Sequence, residues 1–352
     1  MDSQDGVTAD ESGGEPSDTM RERVSMSNWA FWLLLDADRR VVAASMLAAV
    51  FAAVVGAGVL HPTGAYTLLT RGDPMETLYQ ALVGSTITGV TLVLTLSQLV
   101  LSQEQGAVGD QRERMQAAMA FRRDVEDVID EAVGPAEPSA FLRALVADTA
   151  EQAGTLADAA SGLDGRARDR VETLSRAVKG NADAVGEQLD GATFGEFDVV
   201  WAALNYNYSW KLYAARRIRA ENGDALNDAA VDALDDLVET LELFGPAREH
   251  FKTLYFQWEL TELSRTILYA AVPALAVSIG SLMLFDPRGV TTATLGVSDA
   301  LLVAAATVVV SLLPFALLLA YILRIVTVTQ RTLSIGPFIL RETDRSVDLD
   351  ET

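Results

Sequence analysis

Four stretches of the chain, residues 41–60, 81–101, 266–285 and 300–323, contain no charged side chain. Each matches the ~20 apolar residues that an α-helix needs to cross a bilayer. In hydrocarbon every backbone N–H and C=O must be satisfied within the segment, so helices are the economical solution for runs of this length. The expectation is an all-α integral membrane protein with four transmembrane helices and a cytoplasmic helical bundle between spans 2 and 3.

The second span opens with GDPMETLYQ, where Asp73 is placed to cap a helix, Pro74 takes its first position and Glu76 lies three residues past the cap. No proline follows until Pro135, which predicts one long helix from Asp73 to about Asp130. Inside it Thr88, Thr91, Thr95, Gln98 and Ser102 recur at alternating steps of three and four, and Gln105 continues the series. That spacing places them in one stripe on one helix face. At membrane depth a polar stripe is expected to face protein or water, with Ile87, Val90, Leu94 and Leu101 turned elsewhere. Two readings stand: hydrogen-bonding glue between packed helices, or rings of hydroxyls and amides lining a pore in a symmetric oligomer. A seam repeating every 3.5 residues suits helices packed around a common axis. The fourth span offers a complement, since Thr307, Ser311 and Pro314 share a face and Pro314 is expected to kink the helix or free a carbonyl.

The remaining sequence divides around these spans. Residues 1–24 are acidic and rich in Gly and Ser, and lack the pattern of a signal peptide, so they read as a disordered tail. Residues 25–40 combine Trp29, Phe31 and Trp32 with Asp36, Asp38, Arg39 and Arg40, as expected for an interfacial amphipathic helix. Residues 41–102 hold the first two spans and 265–324 the last two. Residues 325–352 form a cytoplasmic C-terminal segment ending in an acidic tail. Arginines cluster before the first span and after the second and fourth, while the two short links hold only Arg71 and Arg288. The positive-inside rule then puts both termini and the middle segment in the cytoplasm, and the protein in the cell membrane as a multi-pass chain.

The middle segment, 103–264, has 16 basic against 31 acidic residues. It reads as helices separated at Gly134-Pro135, Asp164-Gly165, Asp190-Gly191, Asn222-Gly223 and Gly245-Pro246, with the last helix starting near Pro246 and running into the third span. An aromatic helix over residues 193–220 carries two stripes: Phe194, Phe197, Trp201, Leu204, Tyr208 and Leu212, then Tyr206, Trp210, Tyr213 and Arg217. It is expected to be a buried central helix, the alternative being a stacking platform or small-ligand pocket. At its end Lys211, Arg216, Arg217 and Arg219 complement a helix C-terminus or contact an anion or lipid headgroup. The acidic run 231–242 reads as a solvated face.

The formal charge of −22 argues against nucleic acid as a partner. With no cysteine and only His61 and His250, thiolate chemistry and imidazole clusters are excluded. No phosphate-binding loop, His-Glu-x-x-His or Gly-x-Ser-x-Gly is present, so no catalytic residue, metal or cofactor is expected, and no enzyme. Charge-free spans argue against ion-coupled transport, which usually needs an ionisable group in the membrane. Gly56 and Gly58 are expected to permit close helix approach.

The acidic, Lys-poor composition resembles that of halophilic archaeal proteins, in which dense carboxylates keep a surface hydrated in strong salt. The layout over residues 25–335, two spans, a large cytoplasmic helical segment and two more spans, is similar to bestrophin-type channels. That resemblance, of layout and not of motif, implies that residues 84–107 (GSTITGVTLVLTLSQLVLSQEQGA) line the pore of an oligomer. The functional expectation is a homo-oligomeric channel-like protein with the Thr/Gln/Ser stripe at its axis. The alternative is a non-conducting anchor or sensor whose cytoplasmic bundle binds a protein partner. The lipid bilayer is a partner in both.

Overall fold

A computed structural model of the chain describes residues 27, 29, 32–33, 37–193, 195 and 197–331. The acidic tail read at 1–24, most of the interfacial helix read at 25–40, Phe194, and the C-terminal segment beyond residue 331 with its acidic tail lie outside the described residues. The described chain is helical almost throughout. Four of its helices are long and apolar enough to cross a membrane: α1 (Arg39–Leu60), α3 (Pro74–Glu104), α9 (Asp228–Leu284) and α10 (Asp299–Arg331). They point to a multi-pass membrane protein. The others are α2 (Ala65–Thr70), α4 (Val108–Val128), α5 (Pro138–Ala160), α6 (Gly165–Leu189), α7 (Phe197–Leu204) and α8 (Tyr208–Glu221). The chain divides into two compact units, one holding residues 110–255 and the other 26–109 with 256–331.

In the first unit α5 and α6 form an antiparallel hairpin. Leu142, Leu145, Thr149, Ala153 and Leu156 of α5 recur every three to four residues and are buried, as are Val171, Leu174, Val178, Val185 and Leu189 of α6. Glu137 caps α5 by accepting from the Ala140 N–H at 2.8 Å, and Pro138 fills its first position. Arg122 of α4 donates to the carbonyl of Pro135 at 2.8 Å and Glu126 accepts from the Gly134 N–H at 2.9 Å, which closes the link before α5.

The aromatic helix expected over residues 193–220 is two helices, broken at Asn205-Tyr206-Asn207. Buried Asn181 of α6 secures the break: its amide donates to the Asn205 carbonyl at 3.0 Å, and its oxygen accepts from the Asn207 N–H at 3.2 Å. Backbone groups freed by the break are thus paired in the core, where leaving them unpaired would cost about 1–3 kcal/mol each. Gly245-Pro246 also departs from expectation, because α9 starts at Asp228 and runs through both residues. The glycine answers a packing need. A Cβ at Gly245 would lie 2.9 Å from the Tyr208 ring, which packs tilted against Phe244 with ring centroids 5.8 Å apart.

In the second unit α1, α9 and α10 share a core of Val42, Ala43, Leu47, Leu263, Ile267, Ala316, Leu317 and Tyr321, joined by Val93 of α3. A second cluster sets Met75, Tyr79 and Leu82 of α3 against Ala304 and Val308 of α10. Gly58 does permit close approach, since a Cβ there would meet Leu301 at 2.5 Å; Gly56 has open space. Instead of one helix from 73 to 130, α3 ends at Glu104, Gln105 turns extended, and α4 starts at Val108. The break falls where no proline announced one. Pro74 sits at the first position of α3, but the Asp73 side chain makes no capping bond. The link between α9 and α10 forms a short hairpin, β1 (Ala293–Thr294) with β2 (Val297–Ser298).

Candidate functional site

The polar stripe lies on α3. Thr88, Thr91, Thr95, Gln98 and Ser102 are all exposed in the single chain. At ~100° per residue they fall within one narrow sector of the helix. Asp73, Thr77, Gln80 and Gly84 lie in the same sector and are also exposed, so the stripe runs the full length of α3. The residues that α3 buries, Met75, Tyr79, Leu82, Thr86 and Val93, fall on the opposite side. The polar line therefore points directly away from the face by which α3 packs. Of the flanking apolar residues, Val90 is half-buried, while Ile87, Leu94 and Leu101 are exposed beside the stripe.

Each hydroxyl on the stripe bonds its own helix. Thr88 donates to the Gly84 carbonyl, Thr91 to Ile87 and Thr95 to Thr91, each at 2.9 Å, and Ser102 donates to Leu99 at 2.7 Å. Such back-bonding is the usual local alternative for Ser and Thr in a helix interior. Gln98 differs, because an amide has two donors and an acceptor that its own helix carbonyls do not match.

Hydroxyls between helices belong to another set. Thr307 of α10 donates to the Ala304 carbonyl at 2.9 Å, so the Tyr79 hydroxyl of α3 donates to Thr307, at 2.5 Å. Ser311 of α10 meets Ser278 of α9 at 2.7 Å. Ser97 of α3 bonds Ser264 of α9. Thr307 and Ser311 thus join helices of the second unit and do not meet the α3 stripe. Tyr79, Ser97, Ser264 and Ser278 carry no periodic pattern of their own, so nothing in the sequence marked them. Pro314 lies inside α10, which continues past it, and lines a void of about 20 Å³ with Ser85, Thr86, Gly89 and Ser311. That is room for about one water.

An ion pair lies just before the third span expected from Thr266. Glu259, one turn and more earlier on α9, is 1% exposed and pairs with Arg39 of α1 at 2.5 Å. The Arg39 guanidinium stands 5.3 Å from the Tyr321 ring centroid, and Arg324 donates to the Ala37 carbonyl at 2.6 Å.

The four cations read as an anion or lipid contact are dispersed. Lys211 is fully buried, its Nζ 2.7 Å from Asn181 Oδ1 and 5.0 Å from the Tyr206 ring centroid. Arg217 pairs with Glu221 at 2.8 Å and Arg219 with Asp235 at 3.3 Å, while Arg216 is exposed. Hydrogen bonds from Arg217 and then Arg170 hold the Glu221 carboxyl below its usual range. Beside Trp201 an open hollow of about 330 Å³ is lined by Gln188, Asp190, Ala192 and Asp198. Most of the aromatic residues nearby are used in packing, with Tyr206 4.8 Å from Phe244. Among the described residues no three His, Asp or Glu side chains are placed to hold a metal ion.

No curated protein and no solved structure matches the chain. A family model matches residues 5–352, and on that match the chain belongs to the family of unknown function DUF7972.

Proposed function

We propose that this protein is a homo-oligomeric, channel-like membrane protein in which the polar face of α3 lines a passive pathway between copies. One observation carries the reading. Of the four candidate spans α3 is the least apolar and the least buried by its own chain, and its polar residues occupy the uncovered side. A helix so arranged is poorly suited to lipid on that side, and neighbouring copies presenting the same face would cover it. Charge-free spans fit a passive path better than a coupled one. The arginines beside the spans favour the cell membrane, with both termini and residues 110–255 on the cytoplasmic side. The likeness to bestrophin-type channels and to halophilic archaeal proteins rests on layout and composition alone, and a layout does not carry function.

The self-bonded hydroxyls favour a second reading, because they need no water. In it the stripe is a packing face of a non-conducting anchor or sensor whose helical unit, residues 110–255, binds a protein partner. Conductance of the purified protein in planar bilayers separates the two. The channel reading expects an oligomer that conducts, with Thr95→Val or Gln98→Leu changing the unitary conductance. A monomer that is electrically silent across salts and voltages would leave the anchor.

A further inference from the structure

The hydrogen bonds along α3 have a consequence for what passes beside them. Thr88, Thr91, Thr95 and Ser102 each have one proton, and each donates it to a carbonyl of its own helix. What those hydroxyls turn outward is therefore oxygen lone pairs, which accept and do not donate. Oxygen acceptors replace the hydration shell of a cation and offer nothing to an anion. The charge of the helix has the same sign. From Gly72 to Gln111 the sequence contains no Lys or Arg. Asp73 and Glu76, both exposed, stand at the opening turn of α3, and Asp73 lies in the sector of the stripe. Arg71 and Arg288 stand at the same end, and Arg288 lines one hollow with Asp73, Glu76 and Asp286. The three carboxylates outnumber the two guanidiniums, and the balance outweighs the partial positive charge, roughly half a unit, of a helix N-terminus. Repeated in each copy they make a ring of negative charge at one mouth, the arrangement that draws cations into a pore. Gln98 is neutral and offers both donor and acceptor.

We infer that the pathway passes cations in preference to anions. The inference rests on the channel reading above, and it adds to that reading the class of permeant ion and the groups that select it. Backbone-committed hydroxyls make the lining an acceptor surface, and Asp73 with Glu76 concentrates cations at its entrance.

The test is the reversal potential of the purified oligomer in a planar bilayer under a gradient of potassium chloride. The wild-type chain suffices, so the result does not depend on a variant folding. The expected current reverses toward the potassium equilibrium potential, and joint Asp73→Asn and Glu76→Gln substitution moves the reversal toward zero. Reversal at zero or toward the chloride potential in the wild type would overturn the inference while leaving a pathway in place. No current from protein shown to be oligomeric would overturn the channel reading beneath it.

Discussion

Gln98 and the threonines around it make different demands on their surroundings. A threonine bonded to its own helix carbonyl tolerates an apolar neighbour, whereas the Gln98 amide needs a partner that its helix does not supply. The case for a covered face therefore leans on Gln98 and on the charged end at Asp73 more than on the number of hydroxyls. Asp148 poses a comparable problem in the first unit. It is buried and accepts from the Thr240 hydroxyl at 2.7 Å. Burial pushes its carboxyl up from 3.8, against the pull of Thr240, and Glu151 and Asp236 push the same way. The folded state then holds this proton to higher pH than the unfolded state does. Stability from this group is fully present below the ordinary carboxylate value and is lost as pH rises through the raised folded value. Asp148→Asn should therefore unfold at a higher temperature than the parent at neutral pH, with the gap closing in acid. A gap that does not change with pH would contradict this account of Asp148.

At the scale of elements, the α9–α10 link contains the clearest local strain. Its two-residue turn places Leu295 at φ +51° and Gly296 at φ +81°, and Leu295 is almost fully exposed. Two positive φ values in a hairpin turn favour Asn-Gly, since a leucine there crowds its own carbonyl. Leu295→Asn should stabilise the protein by about 1 kcal/mol, read as a rise in unfolding free energy; a loss of stability would show that the leucine has a partner. Helical content and the four long apolar helices were legible because charge-free runs of that length allow few structures. The stripe's place on one face of α3 was legible from its period. Breaks were less so. The backbone turns extended at Gln105, inside the helix expected to reach Asp130, with no proline to mark it, whereas Gly245 sits inside α9 because a ring needs its missing Cβ. A glycine's local freedom is visible in sequence, but whether a neighbour's side chain fills that space is a tertiary fact. Asn205 to Asn207 likewise looked like helix until Asn181, more than twenty residues earlier, supplied the bonds that stabilise a gap there. The pairing of Arg39 with Glu259 was hidden for the same reason, since their separation in sequence left no pattern to read.

For the whole molecule, the open question is what lies against the outward side of α3. Its packing side is filled by Tyr79, Leu82 and Val93 within the second unit, so the polar line has no role in holding one chain together. If copies meet along that line, a reactive group placed on it will find its equivalent in the next copy. The chain contains no cysteine, so a single introduced thiol reports alone. The most direct measurement is cross-linking of Thr91→Cys protein in lipid with a short bifunctional thiol reagent, beside Val272→Cys, an exposed apolar position on α9. The prediction is that Thr91→Cys joins copies readily, and more so than Val272→Cys. Thr91→Cys chains that stay single, while the Val272→Cys chains link as well or better, would contradict the claim that α3 meets its own kind along its polar face.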